Sequence, residues 1–598
     1  MTIASLLADY RGGKRTPSGV IETLLARGDD GPYACAWIHR VDQASLVRRA
    51  KELESRARSD ASAFDRMPLY GVPYAVKDNI DVAGLPTTAA CPAFSYVPQR
   101  SATVVDKLEA AGAILMGKTN LDQFATGLVG TRSPFGVVPN TFRPEYICGG
   151  SSSGSAAVVA RGLASFALGT DTAGSGRVPA GLNNLIGLKP TRGLVSTRGL
   201  VPACQSLDCV SVFALTTPDA IAVFDAARGY DPTDPYSRVL DLWPASCGAQ
   251  FRFAVPNPLE FYGDERAKHA FDDAVLMLQA IGGQPAKTDF ALFLDAASLL
   301  YEGPWVAERM AAIRPFFERH ADQIHPVVHD IIAGAAKFSA ADLFQGITRL
   351  HTLRKAAARL WEYADVLVVP TAPTAYTIAA VLAEPFQTNR RLGHYTNFVN
   401  LLDLAAIAVP ATIRRDGLPC GITLIGPAGS DYMLADLAQR FHQRAALKLG
   451  ALDENLPPPT SIGPGDDGVK VAVVGAHLSG LPLNHELTRR GARLERAART
   501  ATRYRLYALP GTTPPKPGMV RDGSGGGQGI ELEIWRMPAA AFGPFVAGIP
   551  APLGIGRIEL EDGEWVQGFL CEAWAVSGAE DITRFGGWRA FLVSRAAA

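Results

Sequence analysis

Between Asp42 and Ser59 charged residues recur with a helical period and leave Leu46, Ala50, Leu53 and Ala57 on one face, which predicts a surface helix packed along that stripe. The texture then changes. Leu69 to Asp78 is a short apolar run interrupted by Pro73 and ended by charge, the pattern of a buried strand. A second unit follows, with Val104 to Ala111 helical and Ala113 to Thr119 a strand, and this alternation predicts an α/β layered core. Residues 260 to 360 are Ala-rich and amphipathic and read as helical throughout, before Val366 to Thr371 returns to a buried strand. Beyond residue 469 the strands shorten, at Val469 to Val474, Ile530 to Trp535 and Trp565 to Ala575, and no internal repeat is found.

Two segments break this pattern. From Cys148 to Thr191 Gly, Ser and Ala dominate, yet the run Ala156 to Ala160 is too apolar for a linker, so the stretch reads as two small-residue loops flanking a buried helix. The run from Asn455 to Gly468 holds four prolines and three glycines in fourteen residues, which suits an extended spacer. The expected organisation is therefore a catalytic domain over residues 1–454, a Pro/Gly-rich linker over 455–468 and a smaller domain over 469–598. The Gly-rich turn Gly523 to Gly529 lacks the Lys-Ser/Thr of a phosphate loop.

Composition narrows the class of protein. At roughly 150 residues per domain a 598-residue chain allows about four units, fewer if one is a large enzyme core. Hydrophobic residues make up 47%, and 58 basic residues balance 58 acidic ones, which excludes a disordered chain and the positive field of a nucleic-acid binder. Eight cysteines without a CxxC pair argue against a disulfide framework or a thiolate zinc site and for a reducing compartment. Asp9 interrupts the N-terminus before any signal-length apolar run, and no stretch reaches about 18 apolar residues, so a soluble cytoplasmic protein without membrane contact is expected.

Three segments combine small backbone with reactive side chains: Val76-Lys77-Asp78-Asn79, Gly149 to Ser155, and Gly169 to Arg177. A lysine in an apolar strand loses hydration, which disfavours its charged form and makes it a candidate base. A serine on a glycine-rich turn leaves successive N–H groups free to face one oxygen. The bland alternatives are a strand-end surface lysine, a simple turn, and helix caps at Ser155, Thr170 and Ser175. No histidine lies near these serines, and no H-E-x-x-H is present. His320, His325 and His329 resemble a metal cluster, but Pro326 breaks their register, so no metal and no cofactor is expected.

Taken with Val178-Pro179-Ala180 and Gly187 to Gly193, the three segments closely resemble the amidase signature family, with Ser151 and Ser175 lying 24 positions apart. The resemblance implies a mixed central sheet covered by helices on both faces. It also implies Ser175 as nucleophile, Ser151 as bridging serine on a cis peptide, Lys77 as base, and an oxyanion hole from the N–H groups of Thr172, Ala173, Gly174 and Ser175. Asp171 and Arg177 would hold the loop, or form a surface ion pair.

Leu300 to Arg309 is similar to the substrate-carboxylate region of allophanate hydrolases, which implies that Tyr301 and Arg309 bind a small anion, with Arg309 offering a planar fork. Val474 to Gly480, Tyr507 to Gly511 and Gly529 to Trp535 are similar to the C-terminal domain of that family and, more distantly, to the γ-glutamylcyclotransferase-like α+β fold; Ala547 stands where a cyclotransferase has its glutamate, so that activity is not carried over. His477 and His485 are candidates for a second step, or structural histidines. The resemblance implies hydrolysis of allophanate to ammonia and N-carboxycarbamate, a homodimer, and partnership with a biotin-dependent urea carboxylase or a place in s-triazine degradation. The competing expectations are an amidase for malonamate or biuret, a component of a glutamine amidotransferase, and a C-terminal domain that serves assembly only.

Overall fold

A computed structural model describes all residues except 28–30, 61, 244–246, 464–467, 491, 524–526 and 597–598. The chain divides into two compact units, the larger comprising residues 1–242 and 249–462, the smaller 243–248 and 463–598.

The larger unit is built on an eleven-stranded mixed sheet. Its strands are β1 (Trp37–Arg40), β2 (Pro73–Lys77), β3 (Ile114–Thr119), β4 (Phe166–Asp171), β5 (Ile186–Lys189) and β6 (Cys209–Ala214), followed by β7 (Phe251–Pro256), β8 (Gly283–Thr288), β9 (Val366–Pro370), β10 (Leu404–Ile413) and β11 (Pro419–Pro427). They lie in the order β1-β3-β2-β4-β6-β5-β10-β11-β9-β7-β8. The pairs β3/β2, β2/β4, β9/β7 and β7/β8 are parallel and the others antiparallel. Strands β2, β3 and β4 are buried along their whole length, as their continuous apolar runs require.

The surface helix forms over Gln43–Ser59 with Asp42 capping the Ser45 N–H, and it buries Leu46, Ala50 and Leu53. The small-residue helix Ser153–Ala160 is buried all round, which a helix apolar on every side must be. The helical reading of residues 260 to 360 holds for Glu265–Ala280 and from Ala291 onward, but Gly283–Thr288 is a strand. It closes the sheet edge beside β7 with its interior residues exposed or partly exposed, so its sequence, GQPAKT, lacks the apolar signal of a central strand.

The run from Asn455 is extended and tied down before it leaves the larger unit. Gln443 donates to the Pro457 carbonyl at 2.7 Å, and Gln439 both donates to and accepts from the Thr460 backbone. The rest of that spacer from Pro464 to Asp467, and the centre of the Gly-rich turn at 524–526, lie outside the described residues.

The smaller unit contains a five-stranded sheet ordered Arg493–Arg499, Glu531–Met537, Val469–Val473, Trp565–Cys571, Leu553–Glu559. A three-stranded sheet of Pro517–Arg521, Tyr504–Ala508 and Glu580–Asp581 and the helices Ala539–Ala547 and Trp588–Ala596 complete it. Its core gathers Val471, Val473, Leu532, Ile534, Phe545 and Phe591. The expected strand from Trp565 to Ala575 stops at Cys571, where a 3-10 turn takes over at Ala573–Val576. Among the described residues no helix is long and apolar enough to cross a membrane.

Candidate active site

Lys77 ends β2, the neighbour of β4 in the sheet, so its side chain meets the residues at the C-terminal end of β4. It is fully buried, and Nζ donates to Ser151 Oγ at 2.7 Å and to Thr170 Oγ1 at 2.8 Å. Burial pushes its pKa down to about 7, against the opposing pull of Asp122, Asp208 and Asp171 and with a smaller push from Arg309. Desolvation thus outweighs three nearby carboxylates, and the amine is half neutral near pH 7. Thr170 is therefore a partner of Lys77 rather than a helix cap. Ser155 bonds Thr119 and the Leu168 carbonyl, and the helix it belongs to has no side-chain cap.

Ser151 precedes that helix, and the peptide bond Gly150-Ser151 is cis. Its carbonyl accepts from the Asp122 N–H at 3.0 Å. Asp122 is buried and takes the N–H groups of Val129, Gly130 and Arg132, which folds residues 122–132 around the serine. Position 150 must be glycine because a Cβ there would sit 2.2 Å from Asp122 Oδ2 and 2.5 Å from the Gly130 nitrogen.

Ser175 follows β4 on the turn from Thr172 to Arg177 and is 3% exposed. Its Oγ donates to the Gly127 carbonyl at 3.4 Å, and among the described residues no hydrogen bond joins it to Ser151. Asp171 and Arg177 form a bidentate pair with both distances 2.9 Å and both side chains wholly buried, which excludes the surface ion pair. Burial alone would raise the Asp171 carboxyl, but the Arg177 charge and hydrogen bonds hold it below the usual range. Asp171 also accepts from the N–H groups of Gly174 at 2.8 Å and Gly176 at 3.1 Å, while Asn400 clamps the Asp171 carbonyl at 2.7 Å.

The four expected oxyanion donors are placed differently. The Gly174 N–H is committed to Asp171, leaving those of Thr172, Ala173 and Ser175 without a protein partner among the described residues. Gly174 contributes conformation instead: φ is +128°, and a Cβ would come within 2.4 Å of Thr396 Oγ1. Thr172 is fixed by a hydrogen bond to Asp208, whose burial raises its pKa to about 6.

Tyr301 ends the helix Ala291–Tyr301, and Arg309 lies one turn into Val306–His320. The two come together: the Arg309 guanidinium sits 5.3 Å over the Tyr301 ring and 3.4 Å from its hydroxyl. Arg309 is 2% exposed and donates to Thr126 Oγ1 at 3.0 Å, next in sequence to the Gly127 carbonyl that faces Ser175. Its Nε has no partner among the described residues.

In the smaller unit His477 bonds Glu486 at 3.1 Å, stacks on Phe569 and lines a cavity of about 70 Å³ together with Glu486 and Lys516. Burial lowers its pKa. His485 is exposed and bonds the Pro482 carbonyl at 2.8 Å, outside that lining. Among the described residues no group of His, Cys, Asp and Glu is arranged to hold a metal ion.

A lysine and two serines thus meet beside a buried Asp-Arg clamp on a mixed α/β sheet. The chain matches the amidase family over residues 20–435 and belongs to it. It matches the allophanate hydrolase C-terminal domain over residues 469–593. It is 47% identical to the urea amidolyase of Saccharomyces cerevisiae over 96% of its own length and 32% of that protein's, so it spans about a third of that relative. It is 33% identical to a component of the glutamyl-tRNA(Gln) amidotransferase of Symbiobacterium thermophilum, over 74% of this chain and 96% of that one. A solved structure of the Kluyveromyces lactis allophanate hydrolase superposes with a TM-score of 0.87 at 44% identity, covering 99% of both chains.

Proposed function

We propose that this chain hydrolyses the terminal amide of allophanate through Ser175, Ser151 and Lys77. The observation that carries the reading is the convergence of a buried, partly neutral lysine on Ser151 and of the Tyr301/Arg309 pair on Thr126, two sides of one site. The likeness to an allophanate hydrolase along its whole length supports the substrate. A role within a glutamine amidotransferase would leave the second unit unexplained, because that relative covers only 74% of this chain.

In this mechanism the Ser175 hydroxyl rotates from the Gly127 carbonyl toward Ser151. Neutral Lys77 takes the Ser151 proton as Ser151 takes that of Ser175, whose Oγ bonds to the amide carbon. The developing oxyanion faces the N–H groups of Thr172, Ala173 and Ser175. The C–N bond then breaks, and the relay returns its proton to the departing ammonia. Water, deprotonated along the same path, releases N-carboxycarbamate from the acyl-enzyme. Arg309 holds the substrate carboxylate throughout.

Steady-state ammonia release from allophanate, malonamate, biuret and an uncharged amide tests the assignment. Arg309→Ala is expected to raise KM for allophanate by about 100-fold, since a charge-assisted bidentate contact contributes roughly 2–3 kcal/mol, and to change that for the uncharged amide by less than about threefold. Turnover of malonamate without allophanate, or equal effects on both, overturns it. His477 is assigned to the breakdown of N-carboxycarbamate, on the strength of its buried pairing with Glu486 beside a small cavity. His477→Ala is expected to leave release of the first ammonia within about twofold and to slow the second by at least about tenfold. Unchanged release of both ammonia molecules would leave the smaller unit an assembly role.

A further inference from the structure

Tyr301 also belongs to the wall of a cavity of about 730 Å³, far more room than a small acid amide occupies. Its charged lining comprises Arg132, Lys337, Arg390 and Arg391 against Glu302 and Asp330, so four cations less two carboxylates leave two positive charges in a chain whose formal net charge is zero.

These charges are placed unequally. Arg132 is 1% exposed and fixed by the carbonyls of Thr126 and Pro385, each at 2.9 Å, yet its Nε has no partner among the described residues. Thr126 is the residue whose hydroxyl Arg309 holds, so the cavity's deepest cation and the proposed carboxylate-binding cation meet on one residue. Arg391 lies 5.0 Å over the Tyr262 ring, and Lys337 is exposed with no carboxylate partner among the described residues. Arg390 is occupied by Glu302 at 2.8 Å, an exposed pair joining the end of the helix Ala291–Tyr301 to the helix Pro385–Leu392.

We infer that this cavity is an electrostatic vestibule that concentrates anionic amides ahead of Arg309, with Lys337 and Arg391 as its cations that have no carboxylate partner among the described residues, and Glu302, paired with Arg390, as a carboxylate that limits its charge. A cleft walled by protein focuses the field of such charges, where the same residues on open surface would be screened within about 8 Å at physiological salt. The inference rests on the proposed amidase activity and deepens it, since it assigns the selection of anionic over neutral amides to residues before the site.

The test uses the full chain with malonamate and the uncharged amide propionamide. At about 20 mM salt Lys337→Glu with Arg391→Glu is expected to lower kcat/KM for malonamate by about tenfold, almost wholly through KM, and the loss shrinks below about threefold at 0.5 M salt. Glu302→Gln, which frees Arg390, is expected to raise it by about two- to threefold, and propionamide is to respond by less than twofold in every case. Calorimetric binding of malonamate to Ser175→Ala protein carrying the same substitutions gives the same contrast without turnover. Equal effects on both amides, a loss carried by kcat, or no dependence on salt overturns the vestibule. Failure to hydrolyse allophanate with these contrasts intact would overturn only the substrate.

Discussion

Ser175→Ala is expected to reduce ammonia release from allophanate by at least about 10⁴-fold, to the level that positioned water and the remaining N–H donors sustain. Loss of the nucleophile removes the covalent route altogether, whereas the Thr172, Ala173 and Ser175 N–H groups remain in place. The fold should hardly register the change, because the hydroxyl gives up only a 3.4 Å contact to the Gly127 carbonyl, worth well under about 1 kcal/mol. Thermal unfolding should therefore match the parent within about 2 °C while activity vanishes. Ser151→Ala tests the relay separately: it removes the link to Lys77 and should cost a comparable factor while leaving Ser175 in place. Activity within about tenfold of the parent in either variant would refute the scheme.

What the sequence reveals of this site follows from which constraints act locally. Lys77 and the small-residue segments Gly149–Ser155 and Gly169–Arg177 are legible because small residues at the end of a buried strand or the start of a buried helix are conspicuous over a few positions. The positioning roles of Asp122, Thr170, Asp208 and Asn400 are not legible, although each holds a residue of the site. Asp122 stands 29 positions before Ser151, Asn400 lies 229 beyond the Asp171 carbonyl it holds, and a single buried carboxylate or amide gives no periodic signal. The commitment of the Gly174 N–H to Asp171 is equally hidden, since four successive N–H groups look equivalent until one acceptor takes its share.

The same logic governs the fold. Strands that cross the centre of the sheet carry uninterrupted apolar runs and are visible in the sequence at β2, β3 and β9, whereas the edge strand β8 reads as polar chain and passes for part of a helical stretch. Arg177 shows the converse limit. Its charge pattern alone allows a solvated pair, and only its burial with Asp171 makes it a clamp whose loss would strand a carboxylate in a dry interior.

Lys77→Met is expected to lower kcat by about 10²–10⁴-fold, the range for removing a positioned general base. The informative comparison is Lys77→Arg. If the residue acted through its positive charge, arginine would retain much of the activity; if it must accept the Ser151 proton, a guanidinium that stays protonated at every accessible pH is as inactive as methionine. Neither outcome confounds the chemistry with stability, because methionine removes the desolvation burden that holds the amine near pH 7 and preserves most of the side-chain volume. In the parent enzyme the pH profile supplies the independent check. The active form carries neutral Lys77, so kcat/KM for an uncharged amide should rise with pH through a midpoint near 7 and fall about tenfold per unit below it. Asp208, with a pKa of about 6, faces the same amine, so its protonation below that pH removes a carboxylate that favours the ammonium and shallows the lower end of the limb. An acid limb centred below about pH 5, or an active Lys77→Arg enzyme, would assign the proton transfer to another group.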